Sequence, residues 1–205
     1  MKITVGIPVF NQENLVIRAL ESIPANNDIE IIVIDDGSTD NTWNNLLNYQ
    51  KEHPEQNVVL LYNEVNKKVG YTVNRIYDNA TGEYVVLLGS DDYFYSKEFE
   101  KIIKELDGTD LVYFDVQVNN GDIWCLTEES KKELCGSYKF MKRSFIGEVR
   151  CPELITAEDV PFYKKLLDKN PTEKFTHLVV KHYNHPRDGS LTDLVRKGVL
   201  VVQEE

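Results

Sequence analysis

The stretch Tyr84-Val85-Val86-Leu87-Leu88-Gly89-Ser90-Asp91-Asp92-Tyr93 decides the fold. A short run rich in Val and Leu reads as a buried strand, and here it stops abruptly at two adjacent carboxylates. In an open α/β sheet, ligands bind beyond the carboxyl ends of the strands. Two acids at such an end suit a hard divalent cation, and a cation suits a diphosphate. Read alone, Asp91 and Asp92 could equally begin a turn or cap the helix near Ser96, since Asp is common at both.

The same pattern recurs around it. Lys2–Val9 is apolar and β-branched and ends at Pro8. Glu13–Ile23 reads as a helix with Leu15, Ala19 and Ile23 on one face. Ile29–Ile34 is a buried strand that ends in Asp35-Asp36-Gly37-Ser38, and Asp40 is a plausible cap for the helix after it. Val58–Tyr62 is a strand, and Val69–Asn79 a helix closed by Gly82 as its C-cap. Ser96–Leu106 reads as a helix and Leu111–Val116 as a strand. Strands alternating with helices predict βαβ units and a mainly parallel sheet. The second half is less regular. It holds a hairpin-like turn at Asn119-Asn120-Gly121-Asp122 into Ile123–Leu126, a helix over Ala157–Leu167, a strand over Phe175–Tyr183 and a polar loop from His185 to Ser190.

A chain of 205 residues suits one domain. Its 41% hydrophobic and 28% charged residues are an ordinary globular balance. The net charge of -11 argues against a nucleic acid as main partner and against broad adhesion to anionic lipid. The basic cluster Lys131, Lys132, Lys139, Lys142, Arg143 and Arg150 reads as a solvated face. Cys125, Cys135 and Cys151 form no C-x-x-C pair, which predicts reduced thiols. No apolar run approaches the roughly 18 to 20 residues that span a bilayer, and no signal-peptide pattern opens the chain. A cytoplasmic setting is the expectation, with membrane-surface contact left open.

Four polar clusters follow the strands or start the helices after them. They are Pro8-Val9-Phe10-Asn11, Asp35 to Asp40, Ser90-Asp91-Asp92, and Thr156-Ala157-Glu158-Asp159. The last could be no more than acids favoured at a helix N-terminus. His182 to Ser190 adds donors suited to phosphate oxygens. Neither G-x-G-x-x-G nor G-x-x-x-x-G-K-[ST] is present, which counts against a dinucleotide oxidoreductase or a P-loop enzyme.

Together, Ile7-Pro8-Val9-Phe10-Asn11, Val33 to Asp40, Ala80-Thr81-Gly82-Glu83-Tyr84-Val85 and Ser90-Asp91-Asp92 resemble the start of family 2 glycosyltransferases with the A-type (GT-A) fold. The order and spacing match over roughly the first 95 residues, and Glu158-Asp159 and His185–Ser190 fit as well. The resemblance implies a single GT-A domain over 1–205, with a Rossmann-like, mainly parallel central sheet flanked by helices and a smaller acceptor-side β element. Residues 1–95 would form the nucleotide-sugar half, and 96–205 the acceptor and catalytic-base half.

It implies an inverting transfer of a sugar from a nucleotide diphosphate, a UDP-sugar by family habit, to a hydroxyl of a glycan, glycolipid or glycoprotein acceptor. Polysaccharide biosynthesis is the usual setting, and Mn²⁺ or Mg²⁺ the usual metal. Carried over by position, Pro8, Phe10 and Asn11 line the nucleotide pocket, while Asp35 and Asp36 hold base and ribose. Asp91 binds the metal, with His185 as a second ligand. Ser90 and Asp92 support the donor, Asp159 is the general base beside Glu158, and His185 and Arg187 contact the diphosphate.

Two positions depart from the family pattern. Gly89 stands where an Asp often does, and Lys68 where many relatives carry Gly. Lys68 reads either as a solvated lysine at a helix start or as a contact to base or phosphates. Gly89 motivates an alternative, a non-catalytic nucleotide-sugar-binding protein or partner subunit. A nucleotidyltransferase shares the layout, but Gly6–Asn14 lacks the Gly- and basic-rich loop of that class. Trp124 and Tyr138 could stack on acceptor sugars or pack in the core, and Phe140 reads as core.

Overall fold

The computed structural model describes residues 1–132, 137–152 and 158–199. Cys135 and the Thr156-Ala157 pair lie outside them. Four parallel strands form the base of the fold: β1 (Ile3–Val9), β2 (Ile29–Asp35), β3 (Asn57–Tyr62) and β4 (Tyr84–Leu87). β1 lies between β2 and β4, and β3 is the outer strand. Every residue of β2 is buried, as its largely apolar run Ile31–Ile34 requires when helices cover both faces of a sheet, and its Glu30 and Asp35 are buried with it. The connecting helices are α1 (Val16–Glu21), α2 (Thr42–Glu52) and α3 (Val69–Asn79).

A buried carboxylate fastens this half. Glu30 on β2 accepts from Thr4 Oγ1 at 2.7 Å, from the Thr81 amide at 3.0 Å and from Thr81 Oγ1 at 2.9 Å. Both carboxylate oxygens are therefore satisfied, which burial demands.

The second half completes the same sheet. β5 (Tyr93–Phe94) leads into α4 (Ser96–Ile103), followed by β6 (Leu111–Val118) and β7 (Ile123–Trp124). Then come β8 (Lys139–Lys142), α5 (Arg143–Ile146), α6 (Asp159–Leu167), β9 (Glu173–Tyr183) and α7 (Leu191–Arg196). The sheet order is β3-β2-β1-β4-β8-β6-β9-β5, with β7 against β6. The expected α/β domain with its mainly parallel sheet is present. The longer ladders are parallel, and short antiparallel pairings of β8, β5 and β7 form the smaller element.

Several expectations are corrected. α1 starts at Val16 rather than Glu13, because Glu13 is tied to the start of α2. Its carboxylate accepts from the Asn41 amide at 2.9 Å, and its own amide donates to Asp40. Gly82 is not the C-cap of α3, which ends in an extended Ala80. A Cβ at Gly82 would lie 2.5 Å from the Thr4 amide nitrogen, so the glycine is there to let two backbones touch. α4 stops at Ile103, short of Leu106, and α6 begins at Asp159. β8, inserted between β4 and β6, is absent from the sequence-based expectation.

The basic cluster is not a solvated face. Lys139 is buried, Lys131 pairs with Glu128 and Glu173, and Arg150 pairs with Asp78. Lys142 and Arg143 donate to the carbonyls of Gly108 and Gly82. Cys125 and Cys151 are free thiols. Among the described residues, no helix is long and apolar enough to cross a membrane.

Candidate active site

The carboxyl ends of parallel strands share one edge of a sheet, and the polar clusters gather there. Two adjoining cavities, about 600 and 530 Å³, open at this edge. Pro8, Val69, Gly89, Asp91, Tyr183 and His185 line both and so mark where they meet.

The smaller cavity lies over the β1 and β2 exits. Phe10, 41% exposed, offers its ring there, beside Asp36, Lys68, Ser90 and Arg187. One oxygen of Asp36 is committed: Oδ1 accepts from Asn63 Nδ2 at 2.7 Å and from the Lys67 amide at 2.8 Å. Asp35 is fully buried. Its Oδ1 accepts from the Ser38 amide at 2.8 Å, while Oδ2 has no partner among the described residues. Burial pushes its carboxyl above the ordinary range, with Ser38 opposing the shift.

Asn11 has a different place from the one expected. Its Oδ1 accepts from the Thr39 amide at 2.8 Å and its amide donates to Ser38 Oγ, so it clamps the first two strand-end loops together. Lys68 has φ 75° and ψ 160°, a conformation reserved almost entirely for glycine. The departure noted in the sequence is thus a backbone position that wants Gly and holds Lys instead.

The acidic loop after β4 is locked to β9. Asp92 is not free to meet a ligand with both oxygens. Its Oδ2 faces Lys181 Nζ at 3.1 Å, and Oδ1 accepts from the Asn184 amide at 2.9 Å. Burial raises its carboxyl, and the Lys181 charge opposes that. Asp91 points at the junction, where its Oδ2 accepts from Arg187 Nε at 2.7 Å. Its carbonyl accepts from Arg18 Nη2 at 2.5 Å, and the Arg18 guanidinium lies 4.9 Å over the Tyr93 ring. Gly89 fits this crowding, since a Cβ there would lie 2.8 Å from Asp92 Oδ2 and 3.1 Å from Asp91 Oδ1.

The larger cavity ends at α6. Glu158 and Asp159 line it, with Tyr138, Lys139 and Trp124. Burial, then the neighbouring Asp159 charge, pushes Glu158 up to about 7. Burial also raises Asp159, and the Lys139 ammonium pulls it back. Trp124, Tyr183 and His185 form an aromatic wall, with the Tyr183 and His185 rings stacked at 5.2 Å. Phe140 is core, as expected, whereas Tyr138 lines the cavity.

Asp91 and His185 offer one hard oxygen donor and one imidazole at the junction. Among the described residues, no three His, Cys, Asp or Glu side chains gather as a metal cage. Asp91 and His185 would hold a divalent cation there only with further ligands from phosphate and water, as Mg²⁺ sites commonly use.

Arg18 and Lys181 have no site role in the sequence reading, whereas Asn184 falls within the donor loop His182 to Ser190 and Lys139 within the basic cluster. Lys181 leaves a signal: a lysine that directly follows the apolar run Leu178-Val179-Val180 within a strand needs an acid if it is buried.

The fold is an α/β domain with its candidate site at the carboxyl ends of parallel strands, and similarity to known proteins gives the family. Residues 4–153 match Glycosyl transferase family 2, and the chain belongs to that family. A poly(ribitol-phosphate) beta-glucosyltransferase of Bacillus spizizenii is 38% identical over 102 residues, 47% of this chain and 16% of that protein. Staphylococcus aureus TarS in complex with UDP-GlcNAc superposes with a TM-score of 0.79 at 23% identity, covering 93% of this chain and 60% of that one. The mannosyltransferase PcManGT of Pyrobaculum calidifontis, in complex with GDP-Man and Mn²⁺, gives 0.75 at 19% identity, covering 96% and 60%. These structures share the GT-A-type fold. The chain spans between 16% and 47% of the first curated relatives it matches.

Proposed function

We propose that the chain catalyses inverting transfer of a sugar from a nucleotide diphosphate sugar to an acceptor hydroxyl. The observation that carries this is the meeting of two cavities at Asp91 and His185, with Arg187 on one side and Asp159 on the other. The smaller cavity takes the nucleotide. Phe10 stacks on the base and Asp36 meets the ribose, while the fully buried Asp35 lines neither cavity and supports the loop through Ser38. Binding of UDP-GlcNAc by TarS supports uridine as that base.

Arg187 and Lys68 face the diphosphate as cations, and Ser90 supports the donor at the junction. Asp92 acts through position, holding the loop to β9. Asp91 and His185 would hold Mn²⁺ or Mg²⁺, as the Mn²⁺ in PcManGT supports. Such an ion supplies Lewis-acid neutralisation of the departing diphosphate.

A glycosyl transition state resembles an oxocarbenium ion, and the charge leaves with the diphosphate. Asp159 in the larger cavity takes the acceptor proton as attack proceeds from the opposite face. The Lys139 ammonium opposes the burial that raises Asp159, beside a Glu158 pushed up to about 7. One direct displacement inverts the anomeric centre, so no covalent nucleophile is required. Trp124 offers the acceptor, a glycan, glycolipid or glycoprotein, an aromatic face. Residues 1–95 thus supply most of the nucleotide cavity, joined there by His185 and Arg187, while the rest of 96–205 serves the acceptor and the base.

A screen of UDP- and GDP-sugars with Mn²⁺, read as released nucleotide, tests the proposal. Turnover is expected with a UDP-sugar; neither turnover nor nucleotide binding would sink it. Asp159→Asn is expected to abolish transfer while leaving UDP affinity within about threefold, because the base touches only the acceptor. UDP binding with no transfer to any acceptor would favour the non-catalytic alternative that Gly89 motivates.

A further inference from the structure

We propose that Arg187 is a resident counter-cation for Asp91, so that nucleotide diphosphate and divalent cation bind together, each strengthening the other. The coupling rests on the diphosphate reading of the smaller cavity. The counter-cation itself rests on the ion pair.

Four observations build the case. Arg187 Nε donates to Asp91 Oδ2 at 2.7 Å, with side chains only 25% and 20% exposed, so the pair is largely shielded from water. The backbone from which the Asp91 carboxylate projects is fixed, because Arg18 holds its carbonyl and is itself seated on the Tyr93 ring. The neighbouring acid offers no replacement, since Asp92 is already held by Lys181 and the Asn184 amide. Position 89 offers none either, because a Cβ there would press on both carboxylates.

A divalent cation arriving alone therefore meets one carboxylate that a guanidinium already neutralises. To bind, it must displace Arg187 and leave that cation without an anion, which costs free energy in a partly buried site. A diphosphate changes both sides of this exchange. Its oxygens fit the planar fork of a guanidinium, giving Arg187 a second partner. The same oxygens supply ligands that Asp91 and His185 cannot. By linkage, whatever the nucleotide adds to metal affinity, the metal adds to nucleotide affinity.

Mn²⁺ titration followed by electron paramagnetic resonance tests this on the full chain, first without nucleotide. Arg187→Gln is expected to bind Mn²⁺ about tenfold more tightly than the parent, the worth of one charge-assisted hydrogen bond. Arg187→Lys keeps the positive charge and is expected to stay near the parent value, which also controls for damage to the loop. UDP should tighten Mn²⁺ binding by the parent about tenfold, and by Arg187→Gln distinctly less. Equal or weaker Mn²⁺ binding by Arg187→Gln without nucleotide would overturn the counter-cation, as would Mn²⁺ binding by neither protein. If Arg187→Gln gains affinity but UDP has no effect on any variant, the nucleotide reading of the cavity falls and the counter-cation stands.

Discussion

Lys68 holds a backbone conformation that costs an L-residue about 1–3 kcal/mol. Its side chain stands at the rim of the smaller cavity, where an ammonium gains from a phosphate. Lys68→Gly should therefore raise stability by about 1 kcal/mol, less than the full strain because glycine has more freedom to lose on folding. The same change should weaken UDP binding. Urea denaturation and calorimetric titration check the two halves, and a variant that loses both stability and affinity would contradict the strain argument.

Glu158 makes a second case at this scale. Its ordinary value is 4.5 and its folded value about 7. Between those values the folded chain holds a proton that the unfolded chain has released. Stability therefore falls as pH rises through that window, and the loss is complete above about 7. Partial exposure screens the effect, so the parent should lose about 1–2 kcal/mol more than Glu158→Gln between pH 5 and pH 8. Urea melts of both proteins at the two pH values measure it, and parallel losses would refute it.

At the scale of elements, β9 carries the second half of the site. Lys181 is wholly buried, faces Asp92 and Ser137, and lies 4.8 Å from the Tyr138 ring centroid. Removing one partner of a buried pair strands the other charge. Lys181→Met should thus cost about 3–5 kcal/mol, and adding Asp92→Asn should restore much of it. Additive losses in a double-mutant cycle of denaturation would show that the pair does not act as one unit.

The contrast between β4 and β9 also explains what the sequence revealed. α3 is legible over its full length, Val69–Asn79, and β1 to β4 nearly so, because local periodicity and turn residues specify them. β8 was not, because a four-residue strand is fixed by pairing with β4 and β6, far from it in the chain. The acids were visible as strand-end clusters. Arg18 and Lys181 were not, since long-range contacts with the Asp91 carbonyl and the Asp92 carboxylate give them their roles. By its position in the chain Asn11 reads as a pocket residue, because sequence does not reveal that the Thr39 amide takes up its side-chain oxygen.

At the scale of the whole molecule, the charge pattern opposes the proposed ligand. The chain carries a net charge of -11, whereas a nucleotide diphosphate is itself an anion. The cations that would hold it, Arg187 and Lys68, stand at one cavity and act over a few ångströms. At a distance, the net negative field repels the donor before those contacts form. The repulsion reaches about 30 Å at 0.01 M salt but only about 8 Å at 0.15 M. Salt should therefore raise the association rate of UDP, opposite to a site that steers its ligand electrostatically. Close contacts respond the other way, because screening weakens the pull of Arg187 on phosphate and quickens release. Stopped-flow measurements from 10 to 150 mM salt are expected to give an association rate that rises about twofold and a dissociation rate that also rises, so affinity changes little. An association rate that falls steeply with salt would mean that local cations dominate the long-range field, and the proposed division between global repulsion and local capture would be wrong.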